Sequence, residues 1–143
     1  MMVEMEMNEE MMGFDSLFNK TVEFRNCELI TYEKGNVTVK TLVNETDTNP
    51  YGIAHGGYLY TLCDSLAGLV GYSLGNYVVS LQGNINYIRQ AKVGDELLLI
   101  GKTVHDGKST KVVETQILCE NKVICKCSFT LFNVGKVKET PQE

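Results

Sequence analysis

The stretch NPYGIAHGGYLYTLCD, residues 49–64, carries the side chains of this chain that are best suited to chemistry. His55 precedes Gly56 and Gly57 at the start of a segment with helical periodicity, and Asp64 follows nine residues after the histidine. The first turn of a helix leaves backbone N–H groups unpaired and carries a partial positive charge. The bare Gly56 N–H could therefore stabilise negative charge that develops on a substrate carbonyl oxygen, as in an oxyanion hole.

Three further roles are predicted around this helix start. The amide of Asn49 could donate a second hydrogen bond to the carbonyl oxygen, or could brace the loop. His55 could cap or orient the first turn, and the carboxylate of Asp64 could activate water or attack directly. Simpler explanations stay open, since the glycines could form only a tight turn and the aspartate could be only an exposed helix residue.

Helix geometry separates the two halves of this arrangement. Gly56 and Asp64 are eight residues apart, so on one helix they lie about 12 Å apart along the axis. They therefore cannot both contact one reacting carbon. Two antiparallel helices in a symmetric dimer would bring Gly56 of one chain near Asp64 of the other, twice. Gly68, Gly71 and Gly75 would favour close approach of that face to a partner helix or to a sheet.

The remaining pattern predicts one long helix and six strands. Apolar residues recur at three- and four-residue steps over 56–74, which indicates an amphipathic helix. Because one helix cannot cover both faces of six strands, the sheet of the predicted α+β fold must curl around the helix or use a partner subunit, and we expect both. Gly83 predicts a bulge or a close contact in the strand after the helix. Alternation and short connections predict antiparallel strands at 22–34, 36–45, 77–88, 96–105, 110–120 and 122–133.

Composition argues against several classes of protein. The 143 residues carry a formal net charge of −5, which does not favour nucleic acid or an anionic membrane as a partner. No apolar run is long enough for a transmembrane helix. The methionine-rich start has neither a basic region nor an apolar core, so no signal peptide is predicted. The five cysteines are predicted to be reduced thiols of a cytoplasmic protein, packed as small apolar side chains and not as a metal site.

Residues 49–64, with VSLQGNINY at 79–87 and RQAKVGD at 89–95, resemble the signature of the hotdog-fold acyl-CoA thioesterases, particularly the PaaI-like branch. The resemblance implies a hotdog fold, in which an antiparallel six-stranded sheet wraps around one long central helix. It implies hydrolysis of an acyl-CoA thioester without a cofactor, by homodimers that assemble into a homotetramer. The predicted division is an acidic, Met-rich segment with a short helix at 1–19, one hotdog domain at 20–135 and a polar tail at 136–143.

The resemblance also implies a role for each site residue. Asn49 and the Gly56 N–H would polarise the thioester carbonyl, and Asp64 of the neighbouring subunit would be the general base or nucleophile. Ser80 would orient the water or the aspartate, while His55 would organise the helix start. CoA would run along the end of the strand after the helix and along the next hairpin. Its phosphates would lie near the cationic side chains of Arg89, Lys92 and Lys108. The implied binding residues are Gly57, Tyr87, Ile88, Arg89, Gln90, Lys92, Gly107, Lys108 and Ser109.

A purely structural dimerisation domain would leave Asp64 unexplained. Two other functional classes remain open on the same fold. One is a non-catalytic sensor that binds acyl-CoA, against which the retained Asp64 and Asn49 argue. The other is a hydratase or dehydratase that acts on an acyl thioester. Such enzymes usually need a different arrangement of histidine and acid, whereas His55 lies within the HGG element.

Overall fold

A computed structural model describes residues 13–137 of the chain. Predictions about the Met-rich start and most of the polar tail fall on 1–12 and 138–143, which lie outside the described residues. The described elements are helix α1 at 13–20, 3-10 turns at Val22–Phe24 and Glu45–Asp47, helix α2 at Gly56–Ser73, and strands β1 Glu28–Glu33, β2 Asn36–Leu42, β3 Asn76–Tyr87, β4 Glu96–Asp106, β5 Thr110–Cys119 and β6 Lys122–Lys136.

The six strands form one antiparallel sheet in the order β1-β2-β4-β5-β6-β3, and α2 packs against it. The predicted hotdog arrangement is therefore confirmed. The prediction that the first strand starts at residue 22 is wrong. The Cys27 N–H donates to the Phe24 carbonyl at 3.0 Å, and this turn buries the Phe24 ring in the core. The chain becomes extended only at Glu28.

The apolar stripe of α2 fills the concave side of the sheet. Every third or fourth residue of the helix is buried, and alternate residues of β2, β4, β5 and β6 face it, as the two periodicities require. Full burial of one leucine stabilises the fold by about 1.5–3 kcal/mol. Because the stripe contains several such residues, it determines which face of α2 packs on the sheet and which face points away from it. Its buried members include Leu59, Leu62, Cys63, Leu66 and Val70.

Glycines allow the helix and the sheet to approach closely at two points. A Cβ on Gly101 of β4 would lie 2.8 Å from Val70, and a Cβ on Gly71 would lie 2.7 Å from Val78. The predicted close approach to a sheet therefore holds at Gly71. It does not extend to Gly68 or Gly75, because no described atom beyond the neighbouring residues and the helix's own backbone lies within 4 Å of a Cβ built at either position.

Strand β3 forms one edge of the sheet, with β6 as its neighbour on one side. Within residues 13–137 no strand pairs with its other side. Tyr77, Val79 and Leu81 are 46%, 49% and 58% exposed along this edge. Gly83 makes the predicted close contact, since a Cβ there would lie 2.5 Å from the nearest side-chain atom. The shift of register in this strand lies elsewhere, between Ser80 and Gln82. A long apolar edge of this kind is a template for pairing with another chain.

Helix α1 packs on the core, and its presence agrees with the short helix that the sequence predicts near the start of the chain. Phe14 and Phe18 are buried, and the Phe18 ring stacks on Phe24 with 5.2 Å between centroids. No helix among the described residues is long and apolar enough to cross a membrane.

Candidate active site

Helix α2 begins with a histidine cap. The backbone of His55 is extended, at φ −64° and ψ 133°, and its Nδ1 accepts a hydrogen bond of 2.9 Å from the Gly57 N–H. This contact satisfies one of the unpaired donors of the first turn. Because Nδ1 is an acceptor here, the ring is in the tautomer that carries its proton on Nε2. His55 therefore organises the helix start, which is the arrangement expected from the sequence.

The loop before α2 is braced by Asn49. Its Oδ1 accepts hydrogen bonds from the N–H groups of Tyr51 at 2.9 Å and Ile53 at 3.3 Å. The amide nitrogen of the same side chain can still donate. The Ala54 N–H also donates to the Ala91 carbonyl at 2.7 Å. The loop is thus held against the segment that follows β3.

Tyr87 contacts the start of α2 directly. Its hydroxyl donates to the Gly56 carbonyl at 2.7 Å. Partial burial raises the pKa of the Tyr87 phenol. The Gly56 N–H, as the first amide of the helix, has no intrahelical acceptor and can bind an anionic oxygen. The sequence had placed Tyr87 only among residues lining a CoA site, and its contact with Gly56 joins two distant segments that no local pattern connects.

Asp64 and Ser80 form a second pair. The Ser80 hydroxyl donates to Asp64 Oδ1 at 2.6 Å, and the carboxylate is half-buried on the outer face of α2. Burial, and then the charge of this carboxylate, raise the pKa of the nearby Tyr60 phenol. One oxygen of Asp64 is thereby oriented, as a base or nucleophile requires. A cleft of about 220 Å³ opens on the same side of the helix, beside Gly68 and Tyr72.

The two clusters lie far apart in one chain. Tyr87 pairs with Cys125 on β6, whereas Ser80 pairs with Leu131. Six residues of an extended strand span about 20 Å. The Gly56 cluster and the Asp64 cluster are therefore two half-sites, as the spacing on the helix indicated, and one chain does not bring them together.

The predicted CoA residues divide in the same way. Ile88, Arg89, Gln90 and Lys92 are exposed and continue from Tyr87 at the Gly56 end. The Arg89 guanidinium donates to the Val123 carbonyl at 2.9 Å, and Gly57 lies in the first turn of α2 at the same end.

The hairpin at 107–109 lies at the opposite end of the sheet. The Asn133 amide donates to the carbonyls of both Gly107 and Lys108 at 3.0 Å, and the Asn133 N–H donates to the Ser109 carbonyl at 2.9 Å. Along β6, Cys125 and Asn133 are separated by about 27 Å. The end of β3 and this hairpin therefore do not form one CoA site within a single chain.

Comparison with known proteins decides the family. The model of the thioesterase superfamily matches residues 51–126, which is just over half of the chain. The chain belongs to the thioesterase superfamily. The matched span contains Gly56, Tyr87, Asp64 and Ser80, whereas Asn49 lies just before it. The resemblance to the hotdog thioesterases is thereby confirmed.

Several relatives have known structures or assigned activities. The structure of smu.793 from Streptococcus mutans bound to acetyl-CoA is 46% identical, covers 80% of this chain and 94% of that one, and has a TM-score of 0.78. A hypothetical thioesterase protein from Streptococcus pneumoniae, solved with coenzyme A, is 42% identical, covers 80% of this chain and 94% of that one, and has a TM-score of 0.79. Mouse acyl-coenzyme A thioesterase 13 is 30% identical over 99 residues, which are 68% of this chain and 66% of the mouse protein.

Proposed function

We propose that the protein hydrolyses an acyl-CoA thioester to a free acid and CoA at a site formed by two chains. The observation that carries this proposal is the Asp64–Ser80 hydrogen bond, which orients a carboxylate. The N-terminus of α2 at Gly56 complements it with free N–H donors. One half-site offers an oriented carboxylate and the other offers N–H donors. Hydrolysis of a thioester needs both, because negative charge develops on the carbonyl oxygen as a nucleophile attacks.

The chemistry divides between the half-sites as follows. The thioester oxygen accepts hydrogen bonds from the Gly56 N–H and the Asn49 amide nitrogen. Asp64 of the other chain takes a proton from water, which attacks the carbonyl carbon, or the carboxylate attacks first and water then hydrolyses the anhydride. In the first route the C–S bond then breaks, and Asp64 passes the proton to the departing thiolate. In the second the C–S bond breaks as the anhydride forms, and the thiolate takes its proton from solvent before water hydrolyses the anhydride. The products are the carboxylate and the CoA thiol in either case.

The edge of β3 supports a homodimer with this composite site. Antiparallel pairing of β3 with its copy would cover Tyr77, Val79 and Leu81 and would give the edge hydrogen-bond partners. The two-fold axis of such a pair places the end of one β3 beside the start of the other. Gly56 of one chain then approaches Asp64 of its partner. A homotetramer and a cytoplasmic location stay predictions from the sequence.

The same pairing would reunite the divided CoA residues. Arg89 and Lys92 of one chain would lie near Lys108 of the other, and all three side chains are exposed cations that suit CoA phosphates. CoA or acetyl-CoA is bound in the two streptococcal structures. Structures of the pneumococcal protein also exist with alanine in place of an aspartate and of a threonine. Those two positions are 16 residues apart, the separation of Asp64 from Ser80.

Asp64→Asn tests the proposed function. Asparagine keeps the shape of the side chain and can still accept the Ser80 hydrogen bond, but it is no base, so kcat should fall by about 100-fold or more. The measurement is release of CoA thiol from aromatic, short-, medium- and long-chain acyl-CoAs. Binding of these esters by the wild type without thiol release would favour the sensor. Addition or loss of water at an enoyl or hydroxyacyl ester, with the thioester intact, would favour the hydratase or dehydratase.

Replacement of Ser80 should separate orientation from chemistry. Ser80→Ala removes the 2.6 Å hydrogen bond to Asp64, and we expect kcat to fall by about 10-fold, less than for Asp64→Asn, because the base remains. Ser80→Thr is the matched control, since it keeps the hydroxyl and should retain most of the activity. The comparison uses kcat and KM for one acyl-CoA. A Thr variant as slow as the Ala variant would contradict a role for the hydroxyl.

A further inference from the structure

Three cysteine sulfurs meet in the core between α2 and β6. Cys63 and Cys125 have no exposed surface and Cys127 is 2% exposed, and the three Sγ atoms lie within 4.8 Å of one another. The sequence places Cys125 and Cys127 on one face of a strand, but Cys63 comes from a helix more than sixty residues earlier. All three are free thiols. Thioester hydrolysis as proposed uses none of them.

A polar group beside this cluster lacks a partner. Thr115 of β5 pairs in register with Cys127 of β6, so the two side chains share the face that is turned towards the core. Thr115 is 1% exposed, and its hydroxyl has no hydrogen-bond partner within the part of the chain that the structure describes. Burial of an unpaired hydroxyl is unfavourable, because the group has lost its hydrogen bonds to water. The cluster is therefore a polar and polarisable spot in an otherwise apolar layer.

The size of the triangle suits a central atom bound to three sulfurs. The sulfurs lie within 4.8 Å of one another, so an atom at the centre of an equilateral triangle of that limiting size would be at most about 2.8 Å from each sulfur. Bonds to thiolate sulfur are about 2.3 Å long for a metal such as zinc. Each sulfur would then need to move inward by at most about 0.5 Å, a distance within reach of a small side-chain rotation.

Charge decides between the candidate ligands of such a site. Three thiolates leave a net charge of −1 around Zn²⁺ and −2 around Cu⁺, and an uncompensated charge in a dry core is very costly. Zinc also takes four ligands in structural sites, and the described residues offer only these three sulfurs here. Three thiolates around a trivalent metalloid give a neutral, three-coordinate centre, which needs neither a fourth ligand nor a counter-ion.

We propose that Cys63, Cys125 and Cys127 form a binding site for a trivalent metalloid, with arsenic(III) as the probe. The reaction is As(OH)₃ + 3 RSH → As(SR)₃ + 3 H₂O. Three S–H and three As–O bonds break, three As–S bonds form, and each hydroxide leaves as water with a thiol proton. No electron is transferred, so no oxidant or reductant is needed. The bound atom joins α2 to β6 through the residue that directly precedes Asp64.

The test is arsenite binding to the full-length, folded chain. A phosphine reductant keeps the thiols reduced without competing for arsenic. Native mass spectrometry should record one arsenic atom per wild-type chain, with the mass gain expected for loss of three protons, and X-ray absorption should record three sulfur neighbours. Cys63→Ala and Cys127→Ala should each weaken binding by at least about 100-fold, since loss of only an outer-shell partner already costs 10–100-fold.

Two cysteines outside the cluster supply matched controls. Cys27→Ala and Cys119→Ala remove half-buried thiols and should leave both the stoichiometry and the affinity unchanged. Circular dichroism confirms that each variant is folded, and if one cluster variant unfolds the other still gives the answer. No arsenic on the folded wild type, two sulfur neighbours in place of three, tighter binding of zinc than of arsenite, or loss of binding in Cys27→Ala would each overturn the proposal. The result is independent of whether the protein hydrolyses acyl-CoA.

Discussion

Gly56→Pro is expected to lower kcat for acyl-CoA hydrolysis by about 10²–10³-fold relative to Gly56→Ala, the usual cost of losing one oxyanion-hole donor. Proline has no backbone N–H, so the substitution deletes the proposed hydrogen bond to the thioester oxygen. It removes no side chain, because the native residue is glycine. KM should change much less than kcat, because this hydrogen bond strengthens as charge develops in the transition state.

The local structure is compatible with proline at this position. Gly56 is the first residue of α2, where proline is tolerated because that N–H has no intrahelical acceptor. A residue that precedes proline is restricted to extended conformations, and the ψ of His55 is already 133°. The helix should therefore start at the same residue in the variant, and the effect on activity can be assigned to the missing donor.

Gly56→Ala controls for the added bulk. A Cβ at this position would lie 3.1 Å from the Tyr87 hydroxyl, and both variants carry that Cβ. Tyr87 must shift slightly in each, so the difference between them isolates the N–H group. Stopped-flow or steady-state thiol release gives kcat and KM, and thermal unfolding checks the fold. Equal kcat values for the proline and alanine variants would remove the Gly56 N–H from the mechanism.

Local sequence patterns were sufficient for the start of α2 and for its outward carboxylate. A histidine before two glycines marks a helix start, and the apolar stripe of α2 leaves Asp64 on the opposite face. The first strand was predicted too early because the apolar residues of 22–24 have the composition of a strand, while their turn depends on burying Phe24 in the core. Residue type and spacing do not encode such a long-range preference.

Contacts between distant segments could not be read from the sequence. The hydrogen bond from Tyr87 to Gly56 joins residues 31 positions apart, and Cys63 meets Cys125 only because α2 crosses β6 at that level. Sheet register sets both contacts. Register also places the 107–109 hairpin at the other end of β6 from Tyr87. The resemblance alone assigned both segments to one CoA site.

Mixing two inactive variants tests whether the site is shared between chains. Equal amounts of Gly56→Pro and Asp64→Asn chains, allowed to exchange subunits, should recover about one quarter of wild-type activity per chain. In a two-fold dimer with composite sites, each mixed dimer has one site with both substitutions and one with neither. Random exchange puts half of the dimers in the mixed form, and each of those has one of its two sites intact. Neither variant alone should exceed its own residual rate.

The same experiment gives the opposite result for a site within one chain. Every chain would then carry one substitution in its only site, and mixing could restore nothing. Different affinity tags on the two variants allow the mixed dimer to be purified, and its activity should reach about half that of the wild-type dimer.

Leu81→Lys, at the exposed edge of β3, supplies the structural control, because a charge there should oppose pairing of the two edges. Variant chains that also carry Leu81→Lys should neither form mixed dimers nor recover activity, whereas the same variants with Leu81 should do both. That result would show that recovery depends on contact between the chains. Recovery without any mixed dimer would contradict the shared site.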